Sequence, residues 1–591
     1  MTRFVQEQQQ IILHTQQGIC ASKLEILRSD VFRRIFLLYI IHLQRKNAPL
    51  LSAFPPQLTS VDSGTNLKEI FILLCEMPLE EVPSRLPEAA SLLQPELRKL
   101  LHTFVEGLYD FWRDFDRFLV MHSEPGPSSF DKRPYRSFNS TTEELTHLVR
   151  ALSRDICENI TGDHPRVYRQ VAAGCDVGLI AIPRDIPLPE AYARQFGKIA
   201  IIRQVWITPP FIIDPPTNQR TGEFKKIGQN PLIGISFPDE EWLCYPAQVG
   251  QLIIYIYFHQ RFIGLGCALA NLFELVSDQQ LSRKPDAVYF YGMPPETLAS
   301  FGDLPTVFYD DEAQQLLIAA VPNEDRFGYF GYLKKMVLTL HNIAMMKNGC
   351  LPFHGAMLRI LLKGGKSANI LIIGDTATGK SETLEAFRLL GGESIQDIQI
   401  IADDMGSLAM TPDGALTAFG TEIGAFIRLD DLQQGYAFSQ IDRSIIMSPQ
   451  KVNARVVLPV TTIDEVLHGY PVDFMLYANN YEEVDAEHPI LDQLLTPEQA
   501  LRTFREGAAM SKGTTTASGL THSYFANIFG PPQYKDIHEK LASAAFQTAF
   551  KNKTWVGQLR TRLGIPGFEA RGPQAAARAL LDLLESEPAA S

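Results

Sequence analysis

In LRKLLHTFVEGLYDFWRDFDRFLVM, apolar residues recur three and four positions apart, the period of a helix with one buried face. Residues 1–160 read mostly in this way, which predicts an N-terminal, mostly helical domain. A Pro/Ser-rich patch, SEPGPSSFDKRPYRSFNS, interrupts it as a loop. From 165 to 330 the texture changes. VGLIAI, KIAIIRQVWI, PLIGISF and AVYFYG are short apolar runs between Pro- and Gly-bearing turns, the signature of a mixed α/β domain. From 331 to 591 strands and helices alternate again. The tail from Thr496 is helix-rich and closes on RGPQAAARALLDLLESEPAAS, one amphipathic helix with an end expected to fray. No internal repeat or low-complexity tract interrupts this order.

Two apolar runs raise the question of a membrane. VFRRIFLLYIIHLQRK is broken by Arg33 and Arg34 and is too short to span a bilayer. LIIYIYFHQRFIGLGCALANLFEL carries His259, Gln260 and Arg261 near its middle, and reads as a buried strand, a tight turn and a packed helix. Composition agrees: 591 residues suit two to four domains, with 45% hydrophobic and 20% charged residues. A net charge of -13 argues against a general nucleic-acid binder, which needs a basic face. Seven scattered cysteines with no C-x-x-C pair fit a reduced compartment, without a zinc ribbon or a disulfide framework. The start, MTRFVQEQQQIILHTQQ, lacks the apolar core of a signal peptide, so the expected location is cytoplasmic.

The chemistry concentrates in ANILIIGDTATGKSETLEAF, residues 368–387. An apolar strand, a glycine-bounded loop and a helix follow one another, and the loop fits G-x-x-x-x-G-K-[ST]. Backbone N–H groups of Gly374, Asp375, Thr376, Ala377, Thr378 and Gly379 can converge on phosphate oxygens, and the following helix N-terminus favours anions. Lys380 is expected on the β- and γ-phosphates and Ser381, followed by Glu382, on a divalent metal. Downstream, the apolar strand IQIIA ends in Asp403 and Asp404. Carboxylates at such a strand end hold a metal or act as a base. In PFHGAMLRILL, His354 opens the strand before the loop, where a neighbouring strand would carry it toward the phosphates. Lys334 and Lys335 begin a helix in DRFGYFGYLKKMVLTLHNI; taken alone they read as a charged face.

Together these segments resemble the phosphoenolpyruvate carboxykinase superfamily, in particular its ATP-dependent carboxykinases. YFGYLKKMVLTLHNI looks like the family's Tyr-x-Gly-x-x-Lys-Lys segment, which implies Tyr329 in the substrate pocket, Lys335 on a transition metal and Lys334 near substrate. FHGAM implies His354 as a second metal ligand and ADD implies Asp404 as a third, with Asp403 as a base. KVNARVVLPVTTIDEV implies Arg455 on the transferred phosphoryl group. LTPEQALRTFREGAAMSKGTTTASG and SYFANIFGPPQYKDIHEKLASAA follow the family's C-terminal order. The resemblance covers about 285 to 585, with weaker echoes back to 165. It implies a two-lobed mixed-sheet carboxykinase fold with a P-loop, preceded by the helical domain, and a lyase and phosphoryl-transfer enzyme using ATP, Mg²⁺ and Mn²⁺. The expected partners are a nucleotide and a small carboxylate. No nucleic acid or membrane is expected, and a protein partner would be met through residues 1–160.

The sequence departs from the family in three places. Its loop, GDTATGKSE, is spelled more like that of the bacterial HPr kinase/phosphorylase, which phosphorylates a protein serine and shares FHGAM and ADD. The R-S-P-K-D substrate run is missing, and the nearest fragment is NQRTGEFKK, with Arg220, Lys225 and Lys226. The Gly-Thr-Glu-Arg-Gly segment near the adenine becomes GTTTASG, residues 513–519. Three functions therefore stand: a carboxykinase, a kinase acting on a hydroxyl with Asp403 as base, and a non-catalytic nucleotide-binding scaffold.

Overall fold

The amphipathic pattern of the N-terminal segment folds into three long helices: α1 (Asp30–Arg45), α2 (Pro95–Arg113) and α3 (Arg133–Thr161). The computed structural model describes residues 3–7, 9–16, 20–45, 49–52, 54, 64–123, 133–163, 173–390, 394–429, 440–511 and 519–586. It divides into two units, one of residues 1–184 and 202–208, the other of 185–201 and 209–591. Among the described residues no helix is long and apolar enough to cross a membrane. The chain is a mixed α/β protein with several mixed sheets.

In the first unit the helices are accompanied by a sheet that helical periodicity does not reveal. Its strands are β1 (Arg3–Glu7), β2 (Gln10–Thr15), β3 (Asp116–His122), β4 (Val177–Ile182) and β5 (Ile201–Ile207), paired in that order. β1 and β2 form an antiparallel hairpin, and β2, β3 and β4 run parallel. Leu13, Leu119 and Ile180 from the sheet bury against Phe36, Phe104 and Ile156 from these helices and Phe71 from a shorter one, Gly64–Leu74. Residues 1–160 therefore hold strands as well as the expected helices.

In the second unit, one sheet is built on β6 (Trp242–Val249), β7 (Leu252–His259), β8 (Ala287–Met293), β9 (Val307–Asp311) and β10 (Leu316–Pro322). β8 lies parallel between β7 and β10, while β6 pairs antiparallel with β7 and β9 with β10. The ambiguous apolar run folds as read: strand to His259, a turn at Gln260–Phe262, then a buried helix at Ile263–Ala268.

The second sheet positions the chemistry. Its strands are β11 (Leu351–Leu362), β12 (Ser367–Ile373), β13 (Ile395–Ala402), β14 (Met405–Met410) and β15 (Leu416–Gly420). The antiparallel pair β16 (Gly424–Arg428) and β17 (Arg455–Pro459) forms a separate small sheet, and β18 (Phe474–Asn479) and β19 (Trp555–Arg560) complete the second. The order is β15-β14-β11-β12-β18-β19, with β13 also on β11. β12 and β18 are buried on both faces and parallel, so ILII and FMLYAN read as continuous apolar runs. Helices α4 (Phe330–Lys347), α5 (Lys380–Leu390), α6 (Lys535–Lys551) and α7 (Arg571–Ser586) surround this sheet. Leu384 and Phe387 of α5 meet Ala577, Leu580 and Leu584 of α7 in one core.

Candidate functional site

The 374–379 loop leaves β12 and enters α5. Ala377 has φ 63° and Gly379 φ 96°, so the chain makes a left-handed turn that only glycine adopts without strain. A Cβ on Gly379 would lie 2.8 Å from Thr561. Thr561 donates its hydroxyl to the Thr378 carbonyl at 2.7 Å, and the Asn480 amide donates to the Ala377 carbonyl at 3.0 Å. Both sit at or just past the carboxyl ends of β18 and β19, so neighbouring strands brace the loop. Asp375 caps it from within, accepting from the Thr376 N–H at 2.7 Å. The Lys380 ammonium is 6% exposed and donates to the carbonyls of Gly374 at 2.7 Å and Asp375 at 2.8 Å. Burial lowers its pKa against the pull of Asp404, Asp375, Asp403 and Glu382. Ser381 is exposed and Glu382 half-buried at the start of α5.

Strand register brings the histidine and the aspartates together. β11 is long enough to pair with β13 through one half and β14 through the other. Asp403 and Asp404 form the turn between those two strands, opposite His354. Gly355 closes the arrangement: its N–H donates to the Asp404 carbonyl at 3.0 Å, and a Cβ there would strike the Ile372 carbonyl at 2.5 Å. His354 Nδ1 lies 2.5 Å from the Ala526 carbonyl. A carbonyl can only accept, so Nδ1 carries the proton and Nε2 is left to face Asp404 Oδ1 at 3.1 Å. A lone pair and a carboxylate oxygen that close call for a proton or a cation between them. The carbonyl is delivered by a strained turn: Phe525, Ala526 and Asn527 all have positive φ, 45°, 58° and 60°.

Behind this pair lies a charge network. The Lys334 ammonium, 2% exposed, is 2.9 Å from Asp404 Oδ2 and 3.2 Å from Glu422 Oε1. Burial would strip its proton, but Asp404 and Glu422 hold it on and raise its pKa. Burial would raise the Asp404 carboxyl; the Lys334 charge, with that of Lys380 behind it, holds it well below the usual range. Asp403 lacks such close support, and burial pushes it up to about 6. Glu422, 1% exposed and absent from the sequence-level site, is pushed by burial up to about 8. Burial therefore favours its protonated form. A group whose folded pKa exceeds its unfolded value of 4.5 contributes stability that is complete below pH 4.5 and fades toward pH 8. Glu422→Gln cannot ionise, so its melting temperature should improve relative to wild type as pH rises from 5 to 8. Parallel melting curves against pH would contradict the buried neutral acid.

The cations that the sequence left scattered also converge. Lys335 stands over the Phe529 ring at 4.7 Å and the Arg220 guanidinium over the same ring at 5.8 Å. Phe529 also packs 6.1 Å from the His354 ring. Neither cation forms an ion pair with a carboxylate among the described residues. Burial lowers the Lys335 amine to about 8, assisted by the Arg220 charge, and burial lowers Arg220 as well. Tyr332 fixes the Arg220 segment, accepting from the Thr221 N–H at 2.9 Å. Lys225 and Lys226 instead lie on an outer strand, exposed, with Lys226 over the Tyr534 ring at 4.1 Å. Tyr329 caps the N-terminus of α4, and Phe426 of β16 packs both on its ring at 5.9 Å and under the Arg455 guanidinium at 5.3 Å. Burial raises the Tyr329 phenol, while Arg455, Asn453 and Lys334 draw it down.

His354 Nε2, Asp404 and the weakly basic Lys335 amine fit a divalent cation, because the Ala526 carbonyl fixes the imidazole tautomer that coordination requires. Among the described residues no group of three or more His, Cys, Asp or Glu side chains is placed to hold a metal. Residues 513–518 of GTTTASG lie outside the described residues. Sequence reasoning missed Glu422, Phe426, Asn480, Phe529 and Thr561. Of these, the Asn479-Asn480 pair ending an apolar strand carried a readable signal, since two amides there must meet partners. The chain matches no protein-family model, and no curated protein matches it.

Proposed function

We propose that the chain is a phosphoenolpyruvate carboxykinase-like enzyme, which decarboxylates oxaloacetate and transfers the γ-phosphoryl group of ATP to the resulting enolate. One observation carries this reading: the Arg220 guanidinium, half-buried and without an ion-pair partner among the described residues, shares the Phe529 ring with the weakly basic Lys335 amine beside the His354–Asp404 pair. A half-buried guanidinium without a counter-charge is costly and favours an anionic ligand. The resemblance of the loop, histidine, aspartate and lysine segments to that family, with its two-lobed P-loop fold, points the same way.

In this scheme Arg220 holds a carboxylate of oxaloacetate; the C3–C4 bond breaks, the C4 carboxylate departs as CO₂ and the electron pair of the bond forms the enolate of pyruvate. The 374–379 loop cradles the nucleotide phosphates, and Ser381 lies where the magnesium of the nucleotide would be met. A divalent cation on Lys335, His354 and Asp404 would stabilise negative charge on the enolate oxygen. The enolate oxygen bonds to the γ-phosphorus as the bond to the ADP oxygen breaks. Lys380 and Arg455 neutralise the charge on the transferred group, and Tyr329 shapes the wall beside Arg455.

A second reading, a kinase acting on a small-molecule or protein hydroxyl, is favoured by Asp403. Its pKa, raised to about 6, suits a general base near neutrality. Incubating the protein with ATP, Mg²⁺ and Mn²⁺, with and without oxaloacetate, separates the two. The carboxykinase forms phosphoenolpyruvate, and Arg220→Gln should raise the KM for oxaloacetate about tenfold or more with little change in that for ATP. ADP released with a hydroxyl acceptor and no phosphoenolpyruvate would replace the first reading with the second. Tight ATP binding with no turnover would leave the non-catalytic scaffold.

A further inference from the structure

Beside the 374–379 loop stands an arginine that the scheme above does not use. Arg562 follows Thr561, whose hydroxyl bonds the Thr378 carbonyl at 2.7 Å and whose side chain lies 2.8 Å from a Cβ built on Gly379. The backbone at Arg562 is left-handed, φ 52°. A glycine would sit there without strain, so the chain keeps a long cationic side chain at a conformational cost. The guanidinium lies 4.3 Å over the Phe568 ring. It has no ion-pair partner among the described residues, and its Nε is buried without a hydrogen-bond partner. A guanidinium held over an aromatic face, with its Nε–H unspent, is suited to meeting phosphate oxygens.

We infer that Arg562, fixed by Phe568, is a nucleotide-binding residue that contacts the α- and β-phosphates of the nucleotide in the 374–379 loop. This rests on the proposed nucleotide site. Its residue is new to that site, since the resemblance brings only Lys380 and Arg455 to the phosphates as cations. Both of those are assigned to the transferring end of the triphosphate, which leaves the α-side without a positive charge of its own. A guanidinium there is common to ATP and ADP binding and remote from the bond that breaks. Arg562 should therefore govern affinity for both nucleotides and leave the chemical step alone.

The experiment is calorimetric titration of the full chain with ATP-Mg²⁺ and with ADP-Mg²⁺, for wild type, Arg562→Gln and Arg562→Gly, with melting temperatures alongside. Both variants should lose about 10- to 100-fold in affinity for ATP and ADP alike, as expected for a charge-assisted hydrogen bond. Arg562→Gly should melt no lower than Arg562→Gln, because glycine relieves the left-handed backbone. Where turnover is measured, kcat at saturating ATP should stay within about threefold of wild type. Unchanged affinity in Arg562→Gly overturns the inference while leaving the nucleotide site intact. A lower melting temperature in both variants with unchanged affinity would make Arg562 a structural fastener of Phe568. Wild type that binds neither nucleotide would remove the site itself.

Discussion

Replacing Lys380 with methionine should lower turnover at saturating ATP by about 10³-fold or more while leaving the fold intact. The magnitude follows from the position of the ammonium. A cation that stabilises the transferred phosphoryl group in a water-poor site contributes on the order of 10²- to 10³-fold, and cations directed at the migrating group contribute more. Lys380 is 6% exposed, inside the loop that would carry the phosphates, and four carboxylates resist the loss of its proton. Methionine is unbranched and uncharged, and one atom shorter than lysine. The substitution removes two hydrogen bonds, to the carbonyls of Gly374 and Asp375, and neutralises a buried charge, changes that oppose one another in stability. The measurements are a coupled turnover assay and a thermal melt on the same preparation. Activity within threefold of wild type, at an unchanged melting temperature, would sink the phosphate-loop reading of residues 374–379.

The loop itself was legible because its parts are local. An apolar strand, two glycines and a lysine lie within twenty residues, and the structure places the left-handed turn at Ala377 and Gly379. His354 and Asp404 were legible as separate motifs, and the antiparallel register of β11 against β14 is what makes them one site. Arg220 shows the limit. Its fragment has no recognisable order, and what joins it to Lys335 is a shared ring, Phe529, some three hundred residues downstream along the chain. Glu422 was invisible for a different reason: a single acid between Thr421 and Ile423 reads as a loop position, and its meaning comes from Lys334, delivered by another element. In the first unit, the sheet escaped notice because β2 and β3 are short and flanked by polar or helical sequence. Periodicity over such a window reports the longer helices and not the strands they cover.

Asp404→Asn should both abolish turnover and destabilise the protein, and the second effect tests the network independently of any substrate. Asp404 is the ionised partner of Lys334, which is 2% exposed and also lies 3.2 Å from Glu422. Removing one member of a buried pair leaves the other charge without compensation, at a cost of about 3–5 kcal/mol. Glu422 softens that loss. Its carboxyl stands at about 8 partly because the Asp404 charge opposes its ionisation, so in Asp404→Asn it should ionise more readily and take over Lys334. The substitution is then least damaging near pH 8 and more damaging toward pH 5, where Glu422 is protonated again. The double variant Lys334→Met/Asp404→Asn removes both charges, and should recover much of the stability and lose the excess pH dependence. Denaturant unfolding of the two single variants and the double variant at pH 5 and pH 8 gives the cycle. An interaction energy of about 1–3 kcal/mol at pH 5 is expected. Simple additivity at both pH values would show that Lys334 and Asp404 do not act on one another, and would remove the basis for placing Asp404, already ionised, opposite the Nε2 of His354.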